Sequence, residues 1–287
     1  MILCDLNQVM LSNLLKQISP RNPDVSEDLI RHMVLNSLRM YKQKFGDKYG
    51  ELVICADDRK YWRREVFPYY KSNRKKERAQ SSLDWNLIFD TLNRIKQEIK
   101  DNFPYKVIQV HRAEADDIIG TLCKRFGHLG IAPASAEPIL ILSSDKDFGQ
   151  LQKYANVDQY SPVGKQYIRI PNPDRFLKEH IIKGDRGDGI PNFLSPDDTF
   201  ASGGRQKPIK SANFYDWSDM DPVDFCTERM MEGYLRNKQL IDLDCIPEDV
   251  QEAINEEFDT VEVHHGNLLN YFIKHKLKNL TEHIGEF

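Results

Sequence analysis

Acidic residues recur at the ends of apolar runs in this chain. Asp5 closes MILCD, Asp57 closes ELVICAD, and Asp145 and Asp147 fall at the end of PILILSSDKD. Glu114, Asp116 and Asp117 stand together in EADD, and Asp185 and Asp188 in KGDRGDG. In an open parallel sheet the strand ends gather along one edge, so these carboxylates would meet in space. Packed that closely they repel one another unless some are protonated or cations sit between them. Oxygen ligands in such numbers suit Mg2+ or Mn2+, which can align a water and a phosphodiester. Taken singly, an Asp after a strand is commonly the N-cap of the next helix. EADD equally resembles a helix start stocked with dipole-favoured acids. The cap explanation has to be invoked at four strand ends, and the joint pattern favours a metal site.

A second set of residues is basic. Residues 59–78 hold Arg59, Lys60, Arg63, Arg64, Lys71, Arg74, Lys75, Lys76 and Arg78 against only Glu65 and Glu77, a local charge of +7 in a chain whose net charge is −4. A basic strip beside an acidic cluster fits a polyanion held by one surface and cut at another. Within the strip, YWRREVFPYYK (Tyr61–Lys71) begins four residues after Asp57. Arg63, Arg64 and Lys71 could neutralise phosphate, and Trp62, Tyr69 and Tyr70 could stack on exposed bases. The alternative is that these aromatics are core and the charges merely solvated.

The elements that must position these groups alternate between strand and helix over the first 160 residues, which argues for an α/β sheet. Strands are expected at Ile2–Leu6, Leu52–Ala56, Lys106–Val110 and Ile139–Ser143, with a weaker one at Val157–Tyr160. One amphipathic helix carries Leu29, Met33, Leu38, Met40 and Phe45, with Ser26 as N-cap. A second runs from about Leu83 to Lys100. A third opens at Ala113, and on it Glu114 and Asp117 share a face while Asp116 points elsewhere. Ser72–Ser82 is charged and lacks an apolar face, and a solvated surface loop is the plain reading. His128–Pro138 is expected to be a connecting loop. Gly184–Arg205, rich in Gly, Pro and Asp, marks passage to a helical C-terminal part with apolar-periodic stretches at 225–240, 250–258 and 268–284. The expected organisation is a core of residues 1–183, including a basic segment at about 70–82, and a helical region of 184–287.

Length, at 287 residues, allows one main domain with an appendage, and 40% hydrophobic content is enough for a core. The apolar runs are of strand length, so neither a membrane span nor a signal peptide is expected. Five scattered cysteines form no zinc-spaced set and fit a reducing cytoplasm. No histidine is required, and His264–His265 belongs more easily to a loop.

In this order and spacing, Ala56–Asp57, YWRREVFPYYKSNR, EADD, SSDKDFGQL and KGDRGDGIPNF resemble the 5′ nuclease (flap endonuclease) family, with the T-even phage ribonuclease H branch the nearest in pattern. The likeness spans essentially the whole chain. It implies a PIN-like, mostly parallel sheet flanked by helices, with a smaller helical DNA-binding part. It implies a 5′→3′ exonuclease and flap endonuclease with ribonuclease H activity, acting in phage DNA replication in the host cytoplasm. Two Mg2+ ions, replaceable by Mn2+, are implied. One would be held by Asp5, Asp57, Glu114 and Asp116, the other by Asp145, Asp147 and Asp188, with Asp116 between. Asp117 and Asp185 would act through water or neighbouring groups. Arg63 and Lys71 would grip the scissile phosphate and Tyr70 would stack near the terminal nucleotide. Residues 72–82, with Arg74, Lys75, Lys76 and Arg78, would form the helical arch or clamp that closes over a 5′ single strand.

The run after GDRGDGIPN departs from the family's compact Gly-rich turn. Gly203, Gly204, Arg205, Lys207 and Lys210 could still meet duplex phosphate there through backbone N–H groups and charge. The implied partners are flapped, nicked or forked DNA, RNA–DNA hybrid, a single-strand DNA-binding protein and a sliding clamp, with the C-terminal helices as the expected protein-binding surface. The chain is expected to be a monomer. Two competing functions remain at this point: a flap-binding protein with weak catalysis, and a PIN-type RNA nuclease.

Overall fold

The computed structural model describes residues 1–17, 26–81, 83–264 and 266–287, with side chains for all of these but 12–17, 75–77 and 79. Its frame is a sheet of β1 (Ile2–Asp5), β2 (Leu52–Cys55), β3 (Lys106–Ile108), β4 (Ile139–Leu142), β5 (Val157–Ser161) and β6 (Gln166–Ile168) in the order β3-β2-β1-β4-β5-β6. The first five strands are parallel and β6 pairs antiparallel with β5. The α/β reading of the sequence is thus the fold observed, and the strands fall within a residue or two of their expected ends. The exception is β6, whose QYI is mostly exposed and carries no apolar alternation to announce it.

The apolar runs are continuous because both faces of the sheet are covered. Ile2, Cys4, Leu52, Ile54, Leu140 and Leu142 face one core, and Leu3, Val53, Cys55, Ile139 and Ile141 face the other. The helices are α1 (Leu6–Gln17), α2 (Glu27–Tyr49), α3 (Trp62–Val66), α4 (Ser72–Ala79), α5 (Trp85–Asn102), α6 (Ala115–Phe126), α7 (Pro173–Lys183), α8 (Ser211–Asp219), α9 (Pro222–Phe225), α10 (Glu228–Ile241), α11 (Glu248–Thr260), α12 (Leu268–Lys274) and α13 (Lys278–Thr281). Helices α2 and α5 cover the first face, and α6 with α11 the second. Ser26 caps α2 as expected, its hydroxyl accepting from Leu29 N–H at 3.2 Å. Asp84 caps α5 in the same way at 3.0 Å.

Ser72–Ser82, a loop on the plain reading and a helical arch on the resemblance, is helical over Ser72–Ala79. It lacks an apolar stripe, but Arg, Lys, Glu and Ala are strong helix formers, so propensity rather than burial supports it.

The chain after residue 184 does not stay on one side. Leu243, Ile246, Val250 and Ile254 pack under α6, and Tyr271, Phe272, Leu277 and Leu280 return to the opposite face beside α5. A third cluster joins Phe67 and Tyr70 to Ile181, Ile182, Ile190, Phe193 and Tyr234, clamping the basic strip to α7 and α10. The clamp is close. A Cβ on Gly233 of α10 would lie 2.0 Å from the Phe193 carbonyl oxygen, so only glycine fits there. Among the described residues, no helix is long and apolar enough to cross a membrane.

Candidate active site

Strands β2 and β3 lie to one side of β1, and β4, β5 and β6 to the other, so the sheet reverses its winding between β1 and β4. The crevice outside the carboxyl ends of the strands at such a reversal is where ligands enter this architecture. Asp5 ends β1, Asp57 follows β2, EADD follows β3, and Asp145 follows β4, which brings the four strand-end acid groups to one edge.

Each acid is positioned by backbone or by a neighbouring strand. Asp5 accepts from Gln8 N–H at 3.1 Å and from the Ser143 hydroxyl at 3.0 Å, tying the end of β1 to that of β4. Asp57 accepts from Ala115 N–H and from the Asn7 amide, both at 2.7 Å, and so ties the end of β2 to the first residue of α6. Asp145 caps the 3-10 helix Lys146–Lys153 through Asp147 N–H at 3.0 Å. The cap explanation therefore holds for Asp5, which precedes α1 and accepts from its Gln8 N–H, and for Asp145, but it leaves the crowding in place. Burial, and then the charge of Asp57, push Asp5 up to about 7. Burial, with Glu114 the largest neighbouring charge, raises Asp57. Asp116 is driven well above the carboxylate range by burial and by Asp145, and Asp147 by burial, Asp145 and Asp188. Carboxylates held in this state are the donor set a hard divalent cation would relieve.

The helix-face rule sorts EADD. Asp116 turns toward the other acids, while Glu114 and Asp117 turn together toward Arg63. Asp117 also accepts from Glu114 N–H at 2.8 Å, completing a turn at the start of α6. Arg63 Nη1 lies 3.0 Å from Glu114 Oε2 and 2.8 Å from Asp117 Oδ1, and its Nε–H donates to the Leu240 carbonyl at 2.9 Å. The residue is only 2% exposed, so Arg63, expected to grip phosphate, is turned into the protein here. Two buried carboxylates at one helix start need a cation beside them, and Arg63 is held inward to supply it. Tyr70, expected to stack near the terminal nucleotide, is likewise turned inward here. It is 2% exposed, and its hydroxyl stands 2.9 Å from Glu114 Oε2 and 3.0 Å from Asp188 Oδ2 rather than presenting a ring to a base.

Lys71 lies between these groups and the crevice. Its Nζ is 2.6 Å from Glu114 Oε1 and 3.7 Å from Asp188 Oδ2. Burial would lower its pKa, but Glu114 and Asp188 outweigh burial and keep it protonated. Its backbone is left-handed, φ 54°, and its N–H donates to the Asp188 carbonyl at 2.7 Å. Glu114, burial notwithstanding, is held below the ordinary range by Lys71 and Arg63. Its oxygens are committed to protein cations, whereas the resemblance implies a metal ligand at this position.

The turn Asp185–Ile190 closes the site from the other side. Asp185 accepts from Gly187 N–H at 2.7 Å and pairs with Lys146 Nζ at 2.9 Å, so despite burial its pKa is lowered, through His180 and Lys146. Asp188 pairs with Arg74 at 2.6 Å, joining α4 to the site. A cleft of about 540 Å³ is lined by Asp57, Arg59, Tyr61, Arg64, Arg74 and Arg78 among others. Arg64 lies over the Tyr61 ring and Arg78 over Phe89. The side chains of Lys75 and Lys76 lie outside the described residues. Arg205 and Lys207 are exposed, and Gly204 N–H donates to the Thr199 carbonyl at 2.8 Å. That amide, expected to meet phosphate, is consumed by its own turn.

His180 escaped the sequence reading. It lies on α7, 6% exposed, with Nε2 3.3 Å from Asp185 Oδ2 and Nδ1 3.4 Å from Asp147 Oδ1. The five-residue spacing in HIIKGD was the available signal, but a lone histidine on an apolar helix face carries little weight without the fold.

Residues 20–180 match the family of the 5′-3′ exonuclease N-terminal resolvase-like domain, more than half of the chain. The chain belongs to the 5′-3′ exonuclease family. Residues 173–287 of this nuclease match the T4 RNase H C-terminal family. Across 99% of the chain it is 33% identical to ribonuclease H of Enterobacteria phage T4, covering 95% of that protein. It is 31% identical to flap endonuclease Xni of Shewanella oneidensis over 49% of this chain and 51% of that one. Among solved structures, the bacteriophage T5 D15 flap endonuclease in complex with DNA and metal ions superposes with a TM-score of 0.66 at 17% identity, covering 90% of this chain and 97% of that one. T5 D15 co-crystallised with metal ions gives 0.64 at 16%, covering 91% and 97%. At these identities the structural likeness speaks to the fold.

Proposed function

We propose that this nuclease is a divalent-metal-dependent 5′→3′ exonuclease and flap endonuclease with ribonuclease H activity, removing RNA primers and adjoining DNA from lagging-strand fragments in phage replication. The observation that carries it is the gathering of Asp5, Asp57, Asp116, Asp145 and Asp147 at the sheet's winding reversal, with Asp57 also lining a cleft shared with Arg59, Arg64, Arg74 and Arg78. The residues present fit hard cations: they are oxygen donors, crowded enough to be pushed toward protonation, and Asp147 Oδ1 is buried without a hydrogen bond among the described residues.

Two ions, Mg2+ or Mn2+, would be held by Asp5, Asp57 and Asp116 on one side and by Asp116, Asp145, Asp147 and Asp188 on the other. Bound there, they supply water activation near neutral pH and neutralisation of charge on the phosphodiester. Lys71 adds a fixed positive charge against the developing charge on the scissile phosphate. Glu114 and Arg63 act by holding Lys71 and the start of α6 in place. The Arg64, Arg74 and Arg78 side chains draw the 5′ strand into the cleft, with the Tyr61 ring available for stacking.

The experiment is cleavage of 5′-labelled flapped and nicked duplexes, including an RNA–DNA hybrid, in Mg2+ and in EDTA, with product lengths mapped. Short 5′ products in Mg2+ alone are expected. Tight flap binding with no turnover in Mg2+ or Mn2+ would replace this reading with a junction-binding protein, and preferential cutting of single-stranded RNA with a PIN-type nuclease.

The α4 basic strip makes a separate prediction. Changing Arg74, Lys75, Lys76 and Arg78 to Gln should weaken flap binding and flatten the dependence of log K on log salt by roughly 0.7–0.9 for each phosphate no longer neutralised. Anisotropy titrations across a salt series test this, and an unchanged slope would mean that the strip touches no phosphate.

A further inference from the structure

His180 Nδ1 and Asp147 Oδ1 are buried polar atoms without a hydrogen-bond partner among the described residues. His180 Nε2 lies 3.3 Å from Asp185 Oδ2, close enough for the N–H on that nitrogen to donate there. Asp185 is held in turn by the Gly187 and Asp188 amides at 2.7 and 3.2 Å, so it is a rigid acceptor. In the neutral ring a proton on Nε2 leaves the Nδ1 lone pair bare. That nitrogen is 3.4 Å from Asp147 Oδ1, and among the described residues neither atom has a hydrogen-bond partner. The ring is 94% buried, with 6% exposure, and water does not screen the two atoms from each other. Two acceptors facing one another in a dry site repel, and a cation between them removes the conflict. Donors bound at about 2.1 Å to one ion at a tetrahedral angle stand ~3.4 Å apart, the spacing seen here. A carboxylate that orients a ligating imidazole through its other nitrogen is the usual arrangement around such ions.

We propose that His180 Nδ1 and Asp147 Oδ1 are ligands of one cation, with Asp185 as the residue that orients the ring, and that this nitrogen shifts the site's preference from Mg2+ toward Mn2+, Co2+ or Zn2+. Imidazole suits transition ions, whereas Mg2+ takes oxygen. Lys146, whose Nζ is 2.9 Å from Asp185 Oδ2, does not compete for the ligand atoms, and its side chain is 57% exposed. The inference rests on reading the acidic crevice as a divalent-cation site.

The test uses Mn2+ alone. Spin-echo spectroscopy of the Mn2+-loaded wild-type chain should show the ¹⁴N coupling of a directly bound imidazole, and His180→Asn should remove it. Removing the ligand should weaken Mn2+ at one site by at least about tenfold while Mg2+ binding by calorimetry stays unchanged. Asp185→Asn should retain the nitrogen signal with weaker Mn2+ binding. Mn2+ bound to the wild type with oxygen couplings only would overturn the assignment of His180 and leave a site in which the ring is an imidazolium between two acids. No Mn2+ or Mg2+ binding at all would overturn the cation-site reading beneath it. The wild-type spectrum decides the point even where a variant fails to fold.

Discussion

Asp116→Asn should lower cleavage of a 5′-flapped duplex by at least about 10²–10³-fold while leaving affinity for that duplex near the wild-type value. Asp116 is the one acid of EADD that turns into the crevice, and burial with the charge of Asp145, then of Glu114 and Asp5, pushes its pKa well above the usual range. Asn keeps the size and removes the charge a cation would be held by. The basic strip that draws in DNA is untouched, so binding and turnover separate. Without divalent ions the variant should melt no lower than wild type, because one of several repelling carboxylates has been neutralised. Mg2+ should raise the wild-type melting temperature by more than it raises the variant's. Single-turnover cleavage, anisotropy and thermal melts with and without Mg2+ make the comparison. Near-normal turnover would remove Asp116 from the centre of the reaction.

Arg63→Met should cost about 3–5 kcal/mol of stability, the usual penalty for stripping one partner from a buried ion pair. The guanidinium lies against Glu114 Oε2 at 3.0 Å and Asp117 Oδ1 at 2.8 Å, and Asp117 is fully buried. Glu114 would keep Lys71, but Asp117 would be left as a buried charge beside no other cation among the described residues. Arg63→Lys should recover only part of the stability, since an ammonium cannot span both carboxylates and the Leu240 carbonyl in one plane. Urea unfolding measures the effect. An unchanged midpoint with turnover abolished would mean that Arg63 meets the phosphate after all. Lys71→Met is the useful contrast, with its effect expected mainly on turnover, because Glu114 retains Arg63 and Tyr70 as partners.

The acids were legible because a parallel sheet converts sequence position into spatial position. An Asp after each of several all-apolar strands must arrive at the same edge, whatever the intervening helices do. The four main strands were legible for a related reason: burial on both faces demands unbroken apolar runs such as ILCD and ILIL. Edge strand β6 was not, since an exposed QYI has no reason to differ from a loop. Helix α4 was legible through the resemblance alone, because a run of Arg, Lys and Glu has no apolar stripe to announce a helix, and the Ser26 cap showed where the periodicity of α2 began.

The sequence by itself determined the fold class, the sheet edge at which the carboxylates meet and the family, because strand order, hydrophobic period and motif spacing are properties of the chain. Only the tertiary structure decided which charges face the crevice and which face one another. Arg63 and Tyr70 look like ligand-binding groups in YWRREVFPYYK, yet they are turned inward by the buried Glu114 and Asp117. His180, silent in the sequence, is brought between Asp147 and Asp185 by the packing of α7. The reason is physical: a motif lists the charges available, but in a dry interior each charge must find its partner. That pairing is settled by three-dimensional proximity, which the order of residues does not contain.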